Sequence, residues 1–193
     1  HQSYLQQLDE IRNGFSKVMQ TQMEKMWTAK LGLSTFDAAL FNELVTLMEQ
    51  TPVDYTIFFR ELSMVPDDIV PLKKSFYESP TSEGMDKRWS EWLIKWKLLS
   101  DSSTNVNTTA PHSCKELSKQ MRLVNPKYSL REWFVMPAYQ QATERNYSLV
   151  RELQDIITQP YAEQSKDVEE KYYRLKPSEL FDIGGLSQYS CSS

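Results

Sequence analysis

The chain has 193 residues, 40% hydrophobic and 25% charged, with a formal net charge of −4. That length and mix suit a globular chain with a sizeable core and exclude a disordered tract. The mild acidity argues against a nucleic-acid partner, since no basic stripe is available to displace counterions, and no apolar run reaches the ~20 residues of a membrane-crossing helix.

Glycine is scarce, with five residues where an average composition of ~7% gives roughly 13. Gly14, Gly32, Gly84, Gly184 and Gly185 never fall into either common phosphate-cradling pattern, so a nucleotide loop of those designs is excluded within this chain. The two cysteines, Cys114 and Cys191, are too few for a disulfide framework. Residue 1 is His, and no basic-apolar signal pattern follows it, so the chain reads as a fragment or cleaved product.

From Tyr4 to Trp27 apolar residues recur in steps of three and four, which predicts one long amphipathic helix stopped by Gly32. Ser34 is the expected cap of a second helix, Phe36 to Glu49, with Leu40, Leu44, Leu47 and Met48 facing inward. Thr51-Pro52 breaks it, and Asp54 can cap a short aromatic helix carrying Tyr55, Phe58, Phe59 and Leu62. A further short helix is expected from Ile69 to Tyr77.

Ser82 precedes a strong helix with Met85, Trp89, Trp92, Leu93, Trp96 and Leu99 on one face. That tryptophan stripe is a core-facing ridge or a stacking platform. Helical spacing and the lack of converging basic residues favour the ridge. Ser100 to Thr109 is polar and predicts a loop, after which Ser113 and Glu116 have the spacing of a capping box. That helix should end near Asn125-Pro126. A helix from Tyr128 to Arg145 contains Pro137, which should kink or split it. Another runs from Leu149 to Thr158, followed by a charged segment, Glu163 to Lys171, and a tail with little pattern. No run alternates with period two.

The fold expected is therefore all-α, an irregular bundle of about eight helices with an extended C-terminal tail. Its divisions are a helical part over 1–100, a polar linker over 101–112, a second helical part over 113–160, and a charged segment and tail over 161–193.

Candidate chemistry is sparse. His112 and Cys114 supply two metal ligands at most, so no metal site is expected. Cys114 at a helix start favours thiolate character, but a spectator cysteine beside a loop is the plainer reading. The carboxylate pairs Asp67-Asp68 and Glu169-Glu170 read as solvated surface. Cys191 stands apart, because it lies third from the end after Gly184-Gly185. A thiol on a polar terminus can exchange with a partner sulfur without disturbing a core.

Several blocks carry a resemblance. They are Lys30-Leu31-Gly32-Leu33, Asp54-Tyr55-Thr56, Phe58-Phe59-Arg60-Glu61-Leu62 and, most specific, Met121 to Tyr128 continued by Leu130 to Trp133. Tyr147 to Leu153 and the terminal Cys191-Ser192-Ser193 complete the set. Together they resemble the C-terminal part of the selenoprotein O family of protein adenylyltransferases. The resemblance implies a kinase-like catalytic region, outside this chain, that binds ATP and magnesium and moves AMP onto hydroxyl groups of protein substrates. It implies that no residue of this chain is catalytic or binds cofactor or metal. It implies that Cys191, where some animal members carry selenocysteine, is a redox-regulatory residue able to bond to the catalytic region. The implied partners are that kinase-like region and the protein substrates, with no nucleic acid and no membrane. The implied location is mitochondrial for a eukaryotic member and cytoplasmic otherwise.

Arg131, Asn125 and Pro126 fit either a contact to the catalytic region or a helix-breaking turn with a buried salt bridge. The alternative to a regulatory and scaffolding region is a free-standing helical interaction module that docks through Trp89 to Trp96. A large exposed apolar face would favour the first.

Overall fold

The structure, a computed structural model, describes residues 2–78, 83–102 and 114–181, and it is all-α over them. Eight α-helices run in chain order: α1 Gln2–Leu31, α2 Ala38–Gln50, α3 Tyr55–Leu62, α4 Glu83–Ser102, α5 Cys114–Val124, α6 Glu132–Thr143, α7 Ser148–Thr158 and α8 Lys166–Tyr172. The extended pairing among the described residues is one isolated bridge, Val53 with Phe76.

The end of α1 follows from one glycine. Gly32 has a φ of +64°, and the Leu33 amide donates to the Thr28 carbonyl at 3.0 Å while the Gly32 amide donates to Ala29 at 3.2 Å. This left-handed stop satisfies carbonyls that the helix leaves open. A Cβ at position 32 would sit 2.6 Å from Leu117 Cδ1 and 2.8 Å from Met121 Sδ, so the glycine also admits α5 against α1. Gly32→Ala is expected to cost about 2–3 kcal/mol, from left-handed strain and overpacking together. A urea midpoint unchanged from wild type would show that the turn can relax.

Other boundaries differ from the sequence reading for local reasons. The cap of α2 is Asp37, whose Oδ1 accepts from the Leu40 amide at 2.7 Å, and not Ser34. A carboxylate at the helix start adds charge to the hydrogen bond that a hydroxyl would offer. Asp54 caps α3 as expected, accepting from the Ile57 amide at 3.0 Å. The helix expected over Ile69 to Tyr77 contracts to a 3-10 turn, Pro71–Ser75, because the chain must then extend to pair Phe76 with Val53. α4 continues to Ser102, so the first residues of the polar stretch are helical. α6 starts at Glu132, four residues later than expected, and passes through Pro137 without being split. The charged segment contains a helix the sequence reading lacked, α8, capped by Ser165. Ser82, Ser113, His112, most of the 101–112 stretch and the tail with Cys191 lie outside the described residues.

Two apolar cores result. The larger gathers Leu31, Leu40, Leu44, Leu47, Phe58, Phe59, Leu62, Leu72, the three tryptophans of α4 and Met121 of α5. The smaller gathers Tyr128, Phe134, Ala138, Leu153, Ile156 and Tyr172. Trp89, Trp92 and Trp96 are fully buried. The α4 stripe is therefore a core ridge, and the docking surface assigned to it by the free-module alternative does not exist.

Candidate functional site

Where the two cores meet, buried charges are joined in one polar seam. Burying a charge is costly unless it is paired and hydrogen-bonded, so each ion here demands a partner. Arg60 occupies α3 among Phe58, Phe59 and Leu62, and its side chain is 4% exposed. Its guanidinium donates to the carbonyls of Arg122 at 3.2 Å, Asn125 at 3.1 Å and Tyr161 at 3.1 Å, and to Glu163 Oε1 at 2.6 Å. One side chain thus ties α3 to the end of α5 and to the segment after α7.

Asn125 is fully buried just past the end of α5. Its Nδ2 donates to the Lys30 carbonyl at 2.9 Å and to Ser63 Oγ at 2.9 Å, and its Oδ1 accepts from Lys30 Nζ at 2.8 Å. The residue that ends α5 therefore also grips the end of α1. Lys127 bonds to Glu163 and lies 3.0 Å from Glu169. The backbone amides of Lys127 and Tyr128 both donate to the Pro160 carbonyl, at 2.8 Å and 3.1 Å. Arg131 holds Asp54 through both carboxylate oxygens, with Nη2 to Oδ1 at 2.9 Å, and also donates to the Arg174 carbonyl at 3.1 Å. Glu61 accepts from the Tyr173 hydroxyl at 3.0 Å.

The helix-breaking turn with a buried salt bridge is thus what Asn125, Pro126 and Arg131 form. Asp54 has two tasks, since the carboxylate that caps α3 also receives Arg131. Glu169 stays half-exposed at the surface, as expected, while lying 3.0 Å from the buried Lys127, and Asp67 pairs at the surface with Lys97 at 2.7 Å.

Burial alone would raise the pKa of Glu163, but hydrogen bonds from Lys127 and Arg60 outweigh it and hold the carboxyl below its ordinary value. A carboxylate held low contributes stability above its unfolded pKa, ~4.3, and that contribution is lost as pH falls through the lower folded value. Denaturant midpoints are therefore expected to fall as pH drops from about 5 into the acid range, and Glu163→Gln is expected to flatten that slope. A slope identical in the variant would remove Glu163 as its source. For Lys127 burial works against the charge, yet Glu163 and Glu169 leave its pKa raised. Its contribution is present below the ordinary lysine value and fades only as pH rises through the folded one. Burial, and then Glu61, push the Tyr173 phenol up.

These pairs hold shape; none forms a nucleophile beside a base. Lys30 is a half-buried cation with no carboxylate at ion-pair distance among the described residues, and burial lowers its pKa. It lies over the rings of Phe59 and Tyr55, at 4.6 Å and 5.5 Å. Cys114 is exposed and unbonded. Among the described residues no group of three or more His, Cys, Asp or Glu could hold a metal ion, and no helix is long and apolar enough to cross a membrane. A separate open, almost wholly apolar groove of about 460 Å³ runs between α6 and α7, lined by residues such as Val135, Ala142, Val150 and Ile157.

The roles of Arg60, Lys127 and Glu163 escaped the sequence reading. The signal available was Phe-Phe-Arg-Glu-Leu, in which an ion pair's worth of charge stands inside an aromatic helix and must find partners.

Asp54, Arg60, Glu61, Asn125, Lys127 and Arg131 of this seam lie in the blocks that carry the resemblance, and comparison with known proteins agrees. The sequence model described as protein adenylyltransferase SelO matches residues 4–158. The chain belongs to that family. Among curated relatives, it is 32% identical over 204 residues to the protein nucleotidyltransferase YdiU of Flavobacterium johnsoniae, covering 93% of this chain and 36% of that protein. To the protein of the same name from Vibrio parahaemolyticus it is 31% identical over 189 residues, covering 96% and 36%. To that from Tolumonas auensis it is 30% identical over 187 residues, covering 93% and 34%. The chain spans about a third of the length of the curated relatives it matches.

Proposed function

We propose that this chain is the C-terminal scaffolding and regulatory region of a SelO-type protein that transfers AMP from ATP to hydroxyl side chains of proteins. The observation that carries this reading is the polar seam. Five charged residues of the family blocks, Asp54, Arg60, Glu61, Lys127 and Arg131, are committed to partners inside the chain. They hold helices in place, as a buttress requires, and leave ATP and magnesium to the kinase-like part of the longer protein. The chain's partners in this reading are that part and, through it, the protein substrates.

Cys191 is the regulatory residue. Its thiol and a cysteine thiol of the catalytic part give up two protons and two electrons to a small-molecule disulfide, which leaves as two thiols, and one S–S bond closes. AMP transfer by the full-length protein is measured with and without reductant, in wild type and in Cys191→Ser. The expected result is a reductant response in wild type that the substitution abolishes. A response of equal size in both ends the latch, and a full-length protein without AMP transfer ends the functional reading. The mitochondrial location in a eukaryote, or cytoplasmic in a bacterium, belongs to the same proposal.

A further inference from the structure

The N-terminal two-thirds of α1 is the least supported element of the described structure. Its 30 residues span about 45 Å at 1.5 Å per residue. Nine large apolar side chains, Tyr4, Leu5, Leu8, Ile11, Phe15, Val18, Met19, Met23 and Met26, are 42–71% exposed. The side-chain bonds along this stretch are local ones, such as Arg12 to Asp9 and Gln20 to Glu24. A helix in water with glycine at position 14 and so few supporting pairs is marginal by itself. Something must cover it.

Helix geometry says what. At 100° per residue the nine apolar residues occupy an arc of about 140°, in which Arg12 and Gln22 are the polar residues between Tyr4 and Met26. The residues that α1 turns toward this chain's own body are Glu24, Trp27, Thr28 and Leu31, on roughly the opposite side of the helix, and Lys30, whose long side chain reaches Asn125, Phe59 and Tyr55 from one edge of the arc at the root of the helix. Apart from Lys30 at the root, the contact with α3 and α5 uses the other side of the helix, so the stripe from Tyr4 to Met26 faces away from this chain's body. Its width also discriminates. A two-helix seam between copies needs only a narrow band at a and d positions, whereas an arc above ~100° is what a helix presents to a multi-element core. Tyr4, Leu8, Ile11, Phe15 and Val18 keep heptad spacing, but Leu5, Met19 and Met23 widen the band beyond an a/d seam and the steps 15, 19, 23 leave the heptad. Finally, the family match begins at residue 4 and so includes the whole stripe, while about two-thirds of the relatives' length lies outside this chain.

We infer that the apolar face of α1 between Tyr4 and Met26 is an intramolecular docking surface, covered in the full-length protein by the core of the part that precedes or surrounds this chain. The occupant is an apolar, multi-element face of the same polypeptide, not a second copy. This rests on the reading of the chain as one region of a longer AMP-transferring protein.

The test is hydrogen exchange on the full-length protein, with sedimentation to fix its mass. Residues 4–23 are expected to exchange at least ~100-fold more slowly than unstructured amides, at every protein concentration. The triple substitution Leu8→Glu, Ile11→Glu, Phe15→Glu is expected to remove that protection while α3 and α4 keep theirs. Exchange within about tenfold of unstructured rates in wild type overturns the inference. Protection that grows with concentration alongside a dimer overturns it too, in favour of a second copy. Should the triple variant fail to fold, the wild-type rates still decide. A protected helix in a protein devoid of AMP transfer would sink the functional reading and leave the docking surface standing.

Discussion

Replacing Arg60 by alanine is expected to lower the unfolding free energy by about 3–5 kcal/mol, read from denaturant midpoints. The guanidinium is buried and serves four acceptors on two different segments, so its removal strands the carbonyls of Arg122, Asn125 and Tyr161 together. Glu163 adds less, because its side chain is 54% exposed and water can replace the lost partner. Arg60→Lys should rescue little. An ammonium on a flexible stem cannot reach acceptors arranged around a planar fork, so the two variants are expected to lie within about 1–2 kcal/mol of each other. If lysine restored wild-type stability, the fork geometry would be irrelevant and charge alone would matter.

That seam also marks where sequence reasoning stopped. The helices were legible because their causes are local: Asp54 beside an aromatic run, three or four residues between apolar positions, Gly32 after Leu31. The burial of Trp89, Trp92 and Trp96 followed from spacing in the same way. Partnerships were not legible, because Arg60 and Glu163 are 103 positions apart and either could equally be a solvated charge. α8 was hidden for a related reason. Seven residues from Lys166 to Tyr172 carry little periodicity, and they form a helix where Ser165 caps them and Tyr172 reaches the smaller core. The outward direction of the α1 stripe was likewise invisible, since a helical period shows that one face is apolar but not which body it meets.

Trp96→Ala is expected to be as damaging as any single change in the larger core, about 3–5 kcal/mol, from the cavity left by a fully buried indole. The ring stacks on Trp92 with centroids 6.5 Å apart and planes 10° from parallel. Its Nε1 donates at 2.8 Å to the carbonyl of Leu31, one of the groups left open at the end of α1. Trp96→Phe separates the two effects, since it keeps most of the ring volume and deletes the donor. It is expected to cost about 1–2 kcal/mol, and to speed hydrogen exchange most at residues 28–33, where the Leu31 and Gly32 turn loses its outside partner. Equal losses for Ala and Phe would make the hydrogen bond the whole effect, and no loss for Phe would make it irrelevant. The base of α1 is gripped by three devices from three elements, Trp96 on α4, Gly32 against α5, and Asn125 after it. A helix that overhangs its own body can present a fixed apolar face only if its root is held this way. Loosening the root is therefore expected to weaken the protection of residues 4–23 in the full-length protein even though Trp96 touches none of them.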